Sequence, residues 1–182
     1  MDINGLIKKY PVRQIGFFVP DCVEAAKKHN AIFGSGPFLV AENMEMLNVM
    51  HCGTPANLNH TCCFGMWGDI QVEFCQQNSE GDSYYKDTYP DFTSQGFHHF
   101  AIFSDDVEET IKEFEACGYE VNTTMTVAGD SETNDEMLTV FIDLRKDFNC
   151  FIECYPPPEP LYSMIRDMAK DWDGKTDVIR YL

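Results

Sequence analysis

Four side chains able to bind a cation stand at corresponding places in two similar stretches of the sequence: Gln14 and Glu73 in the first, His99 and Glu153 in the second. Side chains alternate between the two faces of a strand, so each candidate strand can be read for which way its residues point. In residues 12–19 (VRQIGFFV), Ile15, Phe17 and Val19 share an apolar face, leaving Gln14, Gly16 and Phe18 on the other. In residues 97–104 (FHHFAIFS), Phe100 and Ile102 take the apolar face; His99, Ala101 and Phe103 oppose them, and strict alternation puts His98 with the apolar side. By the same rule Ile70, Val72 and Phe74 send Glu73 to the opposite face, and Ile152 and Cys154 do the same for Glu153. A carboxylate amid apolar neighbours is costly unless it has a partner. Gln14 and His99 are each followed two positions later by a small residue, Gly16 or Ala101, which leaves room for a bound group. Three oxygens and one nitrogen suit a six-coordinate divalent ion with water in the open positions. The same residues also allow a network without an ion, in which Gln14 and His99 hydrogen-bond the two glutamates.

For these side chains to meet, two halves of the chain must fold alike. Gln14-Ile-Gly-Phe-Phe-Val-Pro-Asp21 lines up with His99-Phe-Ala-Ile-Phe-Ser-Asp-Asp106. Each is a strand followed by an acidic helix cap. Asp21, with Glu24 three residues on, opens a helix over 22–33 that Gly34 and Gly36 end. Asp106 opens a second, with Val107, Ile111 and Phe114 at helical spacing, that runs to Cys117 and ends at Gly118. Strands are expected after the first helix at 37–41, 44–50, 61–67 and 69–76, and after the second at 119–127, 137–144 and 150–155. The sequence therefore predicts an α+β fold: two tandem βαβββ modules forming one curved mixed sheet with the helices outside, plus a C-terminal helix over 161–169 beyond Pro156, Pro157 and Pro158. The expected parts are an N-terminal arm (1–10), a first module (11–78), a linking segment (79–96), a second module (97–156) and a C-terminal helix and tail (157–182). The last twelve residues match no element.

Composition narrows the function. The chain has 182 residues, 44% of them hydrophobic, enough for a sizeable core and too apolar for a disordered chain. Thirteen Lys and Arg against thirty Asp and Glu give a net charge of −17. That balance argues against nucleic acid and against anionic membranes as partners. No apolar run approaches the ~20 residues needed to span a bilayer, and MDINGLIKKYPVRQ lacks the apolar core of a signal peptide. A cytoplasmic location is expected, with the eight cysteines reduced and mostly packed as small hydrophobes.

Other chemistry-bearing residues have plainer readings. His51, Cys52, His60, Cys62 and Cys63 concentrate potential zinc ligands, but their spacing fits no zinc pattern, and a loop and a buried strand account for them. Cys75 shares the Glu73 face, and Cys63 is a second candidate to line the cup, though packing accounts for both. Tyr84, Tyr85, Tyr89 and Phe92 crowd the polar segment 77–96 and read as loop anchors or as a wall for a ligand. Arg13, Arg145 and Lys146 are candidates to hold an anionic substrate tail.

The repeat, carried by VPDCVEAAKKHNAIFGSGPF, GDIQVEF, GFHHFAIFSDDVEETIKEFEACGYEV and FIECY, resembles the vicinal oxygen chelate superfamily over residues 12–155. That group includes glyoxalase, methylmalonyl-CoA epimerase, extradiol dioxygenases and bleomycin-resistance proteins. The resemblance places its four metal positions on Gln14, Glu73, His99 and Glu153, with zinc, nickel, cobalt or manganese as the divalent ion. Gln/Glu/His/Glu is the set of the zinc-type glyoxalases, whereas methylmalonyl-CoA epimerases carry His and Gln where this chain has Gln14 and Glu73. An extradiol dioxygenase would need two histidines and one carboxylate on iron. The resemblance implies a lyase or isomerase that abstracts a proton α to a carbonyl of a small substrate or thioester. Charge developing on oxygen would be stabilised by the ion, with Glu73 and Glu153 as candidate bases. It also implies, as an alternative, a metal-free protein that sequesters a small molecule. Relatives are often dimers, so a homodimer is admitted.

Overall fold

The computed structural model describes residues 9–91, 93–127, 137–158 and 160–182. Of the N-terminal arm, only Lys9 and Tyr10 fall within them, and both bond Glu113. Phe92 lies outside the described residues.

Both halves begin as the repeat requires. Strand β1 (Val12–Phe18) leads to helix α1 (Cys22–Phe33). Its first turn is held by the Asp21 carboxylate, which accepts from the Glu24 amide at 2.9 Å, and its last by Gly34 in the left-handed region at φ 69°. The first half continues as β2 (Phe38–Glu45), β3 (Leu47–His51), β4 (Thr54–Pro55), β5 (Asn59–Trp67) and β6 (Ile70–Gln77). In the second half β7 (Gly96–Phe103) leads to α2 (Val107–Ala116), whose Asp106 cap accepts from the Glu109 amide at 2.9 Å. Then come β8 (Val121–Val127), β9 (Met137–Asp143), a helical turn α3 (Arg145–Phe148) and β10 (Phe151–Tyr155), followed by α4 (Leu161–Lys170) and β11 (Ile179–Tyr181).

The strands form one mixed sheet in the order β11-β2-β5-β6-β1-β7-β10-β9-β8-β3-β4. Its centre is the antiparallel pair β1 and β7, the first strand of each half. Each is paired in parallel with the last strand of its own half, β6 or β10. The strands carrying Gln14, Glu73, His99 and Glu153 are therefore the four central ones, β6-β1-β7-β10. Helix α1 packs on β5 and β6, and α2 on β9 and β10. Their apolar faces cover Val40, Val72 and Phe74 on one side and Val140, Ile142 and Ile152 on the other.

Four stretches differ from the sequence expectation. Residues 44–50 do not form one strand: β2 runs on to Glu45, and after Met46 the chain crosses to the other half, where β3 pairs with β8. Residues 51–59, between the expected strands at 44–50 and 61–67, contain β4, a hairpin partner of β3. The segment 77–96 is polar in composition, yet Tyr84 and Tyr85 are each 1% exposed, with Tyr84 stacked on Phe141 at 3.8 Å and Tyr85 on Phe18 at 5.0 Å. The tail adds β11, parallel to β2. Helix α4 lies on the concave side, its Ile165 buried against Leu39 and Met66. Among the described residues no helix is long and apolar enough to cross a membrane.

Of the eight cysteines, all are buried except Cys52, which is exposed, and Cys117, which is half-buried.

Candidate metal centre in the cup

The concave face gathers the four expected side chains. His99 Nε2 lies 3.3 Å from Glu73 Oε2 and 3.3 Å from Glu153 Oε2. One terminal atom of the Gln14 amide stands 3.2 Å from Glu73 Oε2 and 3.3 Å from Glu153 Oε2; the other meets the Gln71 amide at 2.5 Å. If the inward atom is oxygen, it faces only acceptors; if nitrogen, it donates to both glutamates. Gln14 and His99 are 1% exposed and Glu73 is 6% exposed.

Within this cluster His99 Nε2 is buried and makes no hydrogen bond, although two carboxylate oxygens stand beside it. A buried orphan nitrogen is uncommon and calls for a partner. With the Gln14 oxygen turned inward and an ion in place of the His99 Nε2 proton, three oxygens and one nitrogen would converge on one point; the Glu73, His99 and Glu153 donor atoms lie within 4.8 Å of one another. The donor set fits a divalent ion by both chemistry and spacing.

Charge in the cluster follows from burial and proximity. Burial disfavours the His99 imidazolium, but Glu153 and Glu73 outweigh it and hold the imidazole at about 9. Burial raises Glu153 above the usual carboxylate range, aided by the Glu73 charge and only partly offset by His99. Burial also works to raise Glu73, but its contacts with His99 and Cys62 prevail and leave it lowered.

Two local features differ from strict alternation. Gly16 does not leave room for a bound group; the His99 ring fills the space, and a Cβ at position 16 would stand 2.0 Å from His99 Cε1. Opposite Gly16 the β1–β7 register slips: Gly16 pairs with His99 and Phe17 with Phe97. His98 is the extra residue of this β-bulge, so it turns to the concave side rather than the helix side. There it stacks on Phe151 at 5.0 Å; its Nε2 meets the Tyr84 carbonyl at 3.0 Å and its Nδ1 meets His99 Nδ1 at 3.1 Å.

Above the cluster the cup holds a cavity of about 150 Å³. Its walls include Met44, Met46, Met125, Met137, Phe64 and Leu161, and among the described residues lining it there is no lysine or arginine. The three expected anion holders lie elsewhere. Arg145 is bound to Asp143 at 2.6 Å, Lys146 to the Gly118 carbonyl at 2.6 Å, and Arg13 lines a separate groove with Arg166 and Lys170. The five-residue His/Cys group disperses. Cys63 packs on the α1 side, Cys62 lies beside Glu73 and Cys75, His60 lines the cup cavity, and His51 and Cys52 face another groove.

Sequence reasoning missed Gln71 and His60 as lining residues, whereas Tyr84, one of the aromatics offered as a ligand wall, does line the cavity. Gln71 was within reach, being two residues before Glu73 on the same face. His60 sits against the Tyr85 hydroxyl at 3.1 Å, and burial lowers it to about 4.

Comparison with known proteins agrees with this architecture. The glyoxalase/bleomycin resistance protein/dioxygenase superfamily model matches residues 13–135, a span that ends before β10. No functionally curated protein matches the chain in sequence. Among solved structures, a hypothetical protein of Bacillus halodurans C-125 is similar with TM-score 0.52 and 17% identity, covering 82% of this chain and 96% of its own. The methylmalonyl-CoA epimerase of Mycobacterium tuberculosis is similar with TM-score 0.51 and 14% identity, covering 84% and 91%. At such identities the likeness is one of fold.

Proposed function

The chain belongs to the glyoxalase/bleomycin resistance protein/dioxygenase superfamily, and on that footing we propose that its cup removes a proton α to a carbonyl, as a metal-dependent lyase or isomerase of glyoxalase or epimerase type. The observation that carries this reading is the convergence of two glutamates from opposite halves on a buried imidazole nitrogen that no hydrogen bond satisfies. Gln14, Glu73, His99 and Glu153 would hold the divalent ion (zinc, nickel, cobalt or manganese), which when bound supplies Lewis-acid stabilisation of charge developing on the carbonyl oxygen.

The chain's own groups divide the remaining work. Glu153 is the better base of the two: burial raises its proton affinity, and its side chain is 15% exposed against 8% for Glu73. It takes the proton from the α carbon and returns it to the adjacent carbon from the same face. Glu73, held lower by His99 and Cys62, stays ionised. His99 and Gln14 position the carboxylates, and Gln71 fixes the Gln14 amide. The methionine and phenylalanine walls keep water from the carbanion.

One observation favours a second reading, a metal-free binder of small molecules. With its amide nitrogen inward, Gln14 donates to both glutamates and the network closes without an ion. An extradiol dioxygenase reading lacks its second imidazole, because His98 is engaged with the Tyr84 carbonyl and with His99.

Solvent deuterium exchange separates these readings. Metal-loaded protein in D2O is expected to exchange the α position of a member of a panel of 2-oxo aldehyde hemithioacetals and acyl thioesters. The rate should fall by about 10²–10⁴-fold in a folded Glu153→Gln variant. Tight binding of panel members with no exchange by metal-loaded protein would favour the binder.

A further inference from the structure

We infer that His51, Cys52 and Asp87 form a second metal site, separate from the cup, for a thiophilic divalent ion such as zinc. The crossing strand builds it. Strand β3 carries the chain to β8 and ends at His51, and the next turn, with Cys52 at φ 48° and Gly53 at φ 74°, is tied to β8 by the Cys52 amide donating to the Asn122 carbonyl at 2.7 Å. Asp87 arrives from the segment that also supplies Tyr84 to the cup.

A chain of hydrogen bonds decides what faces the site. Asn122 Nδ2 donates to Asp87 Oδ2 at 2.8 Å, so Asn122 Oδ1 is the atom that accepts from Thr123 Oγ1, also at 2.8 Å. The Thr123 hydroxyl has then spent its proton, and it accepts from His51 Nδ1–H at 2.9 Å. With the Nδ1 proton held there, the neutral ring presents its lone pair at Nε2. This lone pair faces Asp87 Oδ1 at 3.6 Å and Cys52 Sγ at 3.8 Å. Arg145 and Asn122 both engage Asp87 Oδ2, leaving Oδ1 for the site.

Two electron-pair donors and a thiol aimed at one point call for a cation. With zinc–nitrogen and zinc–oxygen bonds of about 2.0–2.2 Å and zinc–sulfur of about 2.3 Å, tetrahedral ligands stand roughly 3.3–3.7 Å from one another. The two separations from His51 Nε2, 3.6 and 3.8 Å, are close to that spacing, and all three donor atoms lie within 4.8 Å of one another. The Thr123 and Asn122 contacts are the outer hydrogen bonds that orient metal-binding imidazoles and carboxylates. The groove beside the site, lined also by Pro55, Ala56 and Glu80, gives an ion a path in and a place for a fourth ligand. The mixed S/N/O set selects a softer ion than the sulfur-free set proposed in the cup.

Cobalt(II) reports on this site because thiolate ligation adds an intense near-ultraviolet charge-transfer band. Titration of metal-free protein is expected to raise that band to saturation at one equivalent of the sulfur-bound ion, in wild type and in Glu153→Gln alike. The band should vanish in Cys52→Ser, and its half-saturation should shift at least tenfold in Asp87→Asn. No band in wild type, or a band unchanged in Cys52→Ser, overturns the inference. Cys52 is exposed, so its replacement by serine leaves the core untouched.

Discussion

The His99 imidazole occupies the space that a side chain at position 16 would fill. The missing Cβ of Gly16 would lie 2.0 Å from His99 Cε1, so the glycine in β1 sets where the imidazole of β7 can stand. The bulge opposite Gly16 turns two successive histidines to the concave side, and the one that reaches the glutamates is the one lying over the glycine.

Gly16→Ala is therefore expected to push His99 out of the cluster. Overpacking of this kind costs about 1–3 kcal/mol, readable by urea unfolding, and metal affinity in the cup should fall at least tenfold. An alanine variant with unchanged metal affinity would show that the close approach is not what places His99.

Gln71 holds the outer end of the Gln14 amide at 2.5 Å. Gln71→Leu should free that amide and lower metal affinity by about 10–100-fold, the usual effect of losing such an outer contact. Equilibrium dialysis of folded variant and wild type measures it.

His60 gives a pH signature. Burial lowers it to about 4 in the folded chain, against ~6.5 when unfolded. Between those values the unfolded chain holds more protons, so stability falls as pH drops through that window, by roughly 3 kcal/mol when complete. Urea unfolding at pH 7 and pH 4.5 should show a smaller acid loss in His60→Gln than in wild type. Equal losses would mean that His60 is not buried neutral.

Helix α4 covers the concave face through Ile165, which is 1% exposed against Leu39 and Met66. Ile165→Ala is expected to cost about 2–5 kcal/mol and to speed hydrogen exchange first in α4. Loss confined to α4 would mark it as a separately opening unit; loss spread over the sheet would mark it as part of the central core.

Much of this was legible in the sequence because period-two alternation is a strong signal on strands with one apolar face. Ile15 and Phe17 oppose Gln14, and Val72 and Phe74 oppose Glu73, as the pattern requires. The acidic caps Asp21 and Asp106 marked both helices. The pattern failed at His98, where a bulge inserts one residue, because a bulge leaves no mark in hydrophobic order. It failed at Met46, where the chain leaves β5 and takes β8 as its partner between β2 and β3. Tyr84 and Tyr85 stood out as loop anchors or a ligand wall, but the polar composition around them gave no sign of how deeply they are buried, and Asp87 had no partner within sequence reach of His51.

The central claim is tested most directly by crystals of metal-loaded protein measured at the absorption edge of the bound ion. The account predicts an anomalous peak within bonding distance of Gln14 Oε1, His99 Nε2 and a carboxylate oxygen of both Glu73 and Glu153. A cup without such a peak, its Gln14 nitrogen turned to the glutamates in protein saturated with zinc, nickel, cobalt and manganese in turn, would contradict it.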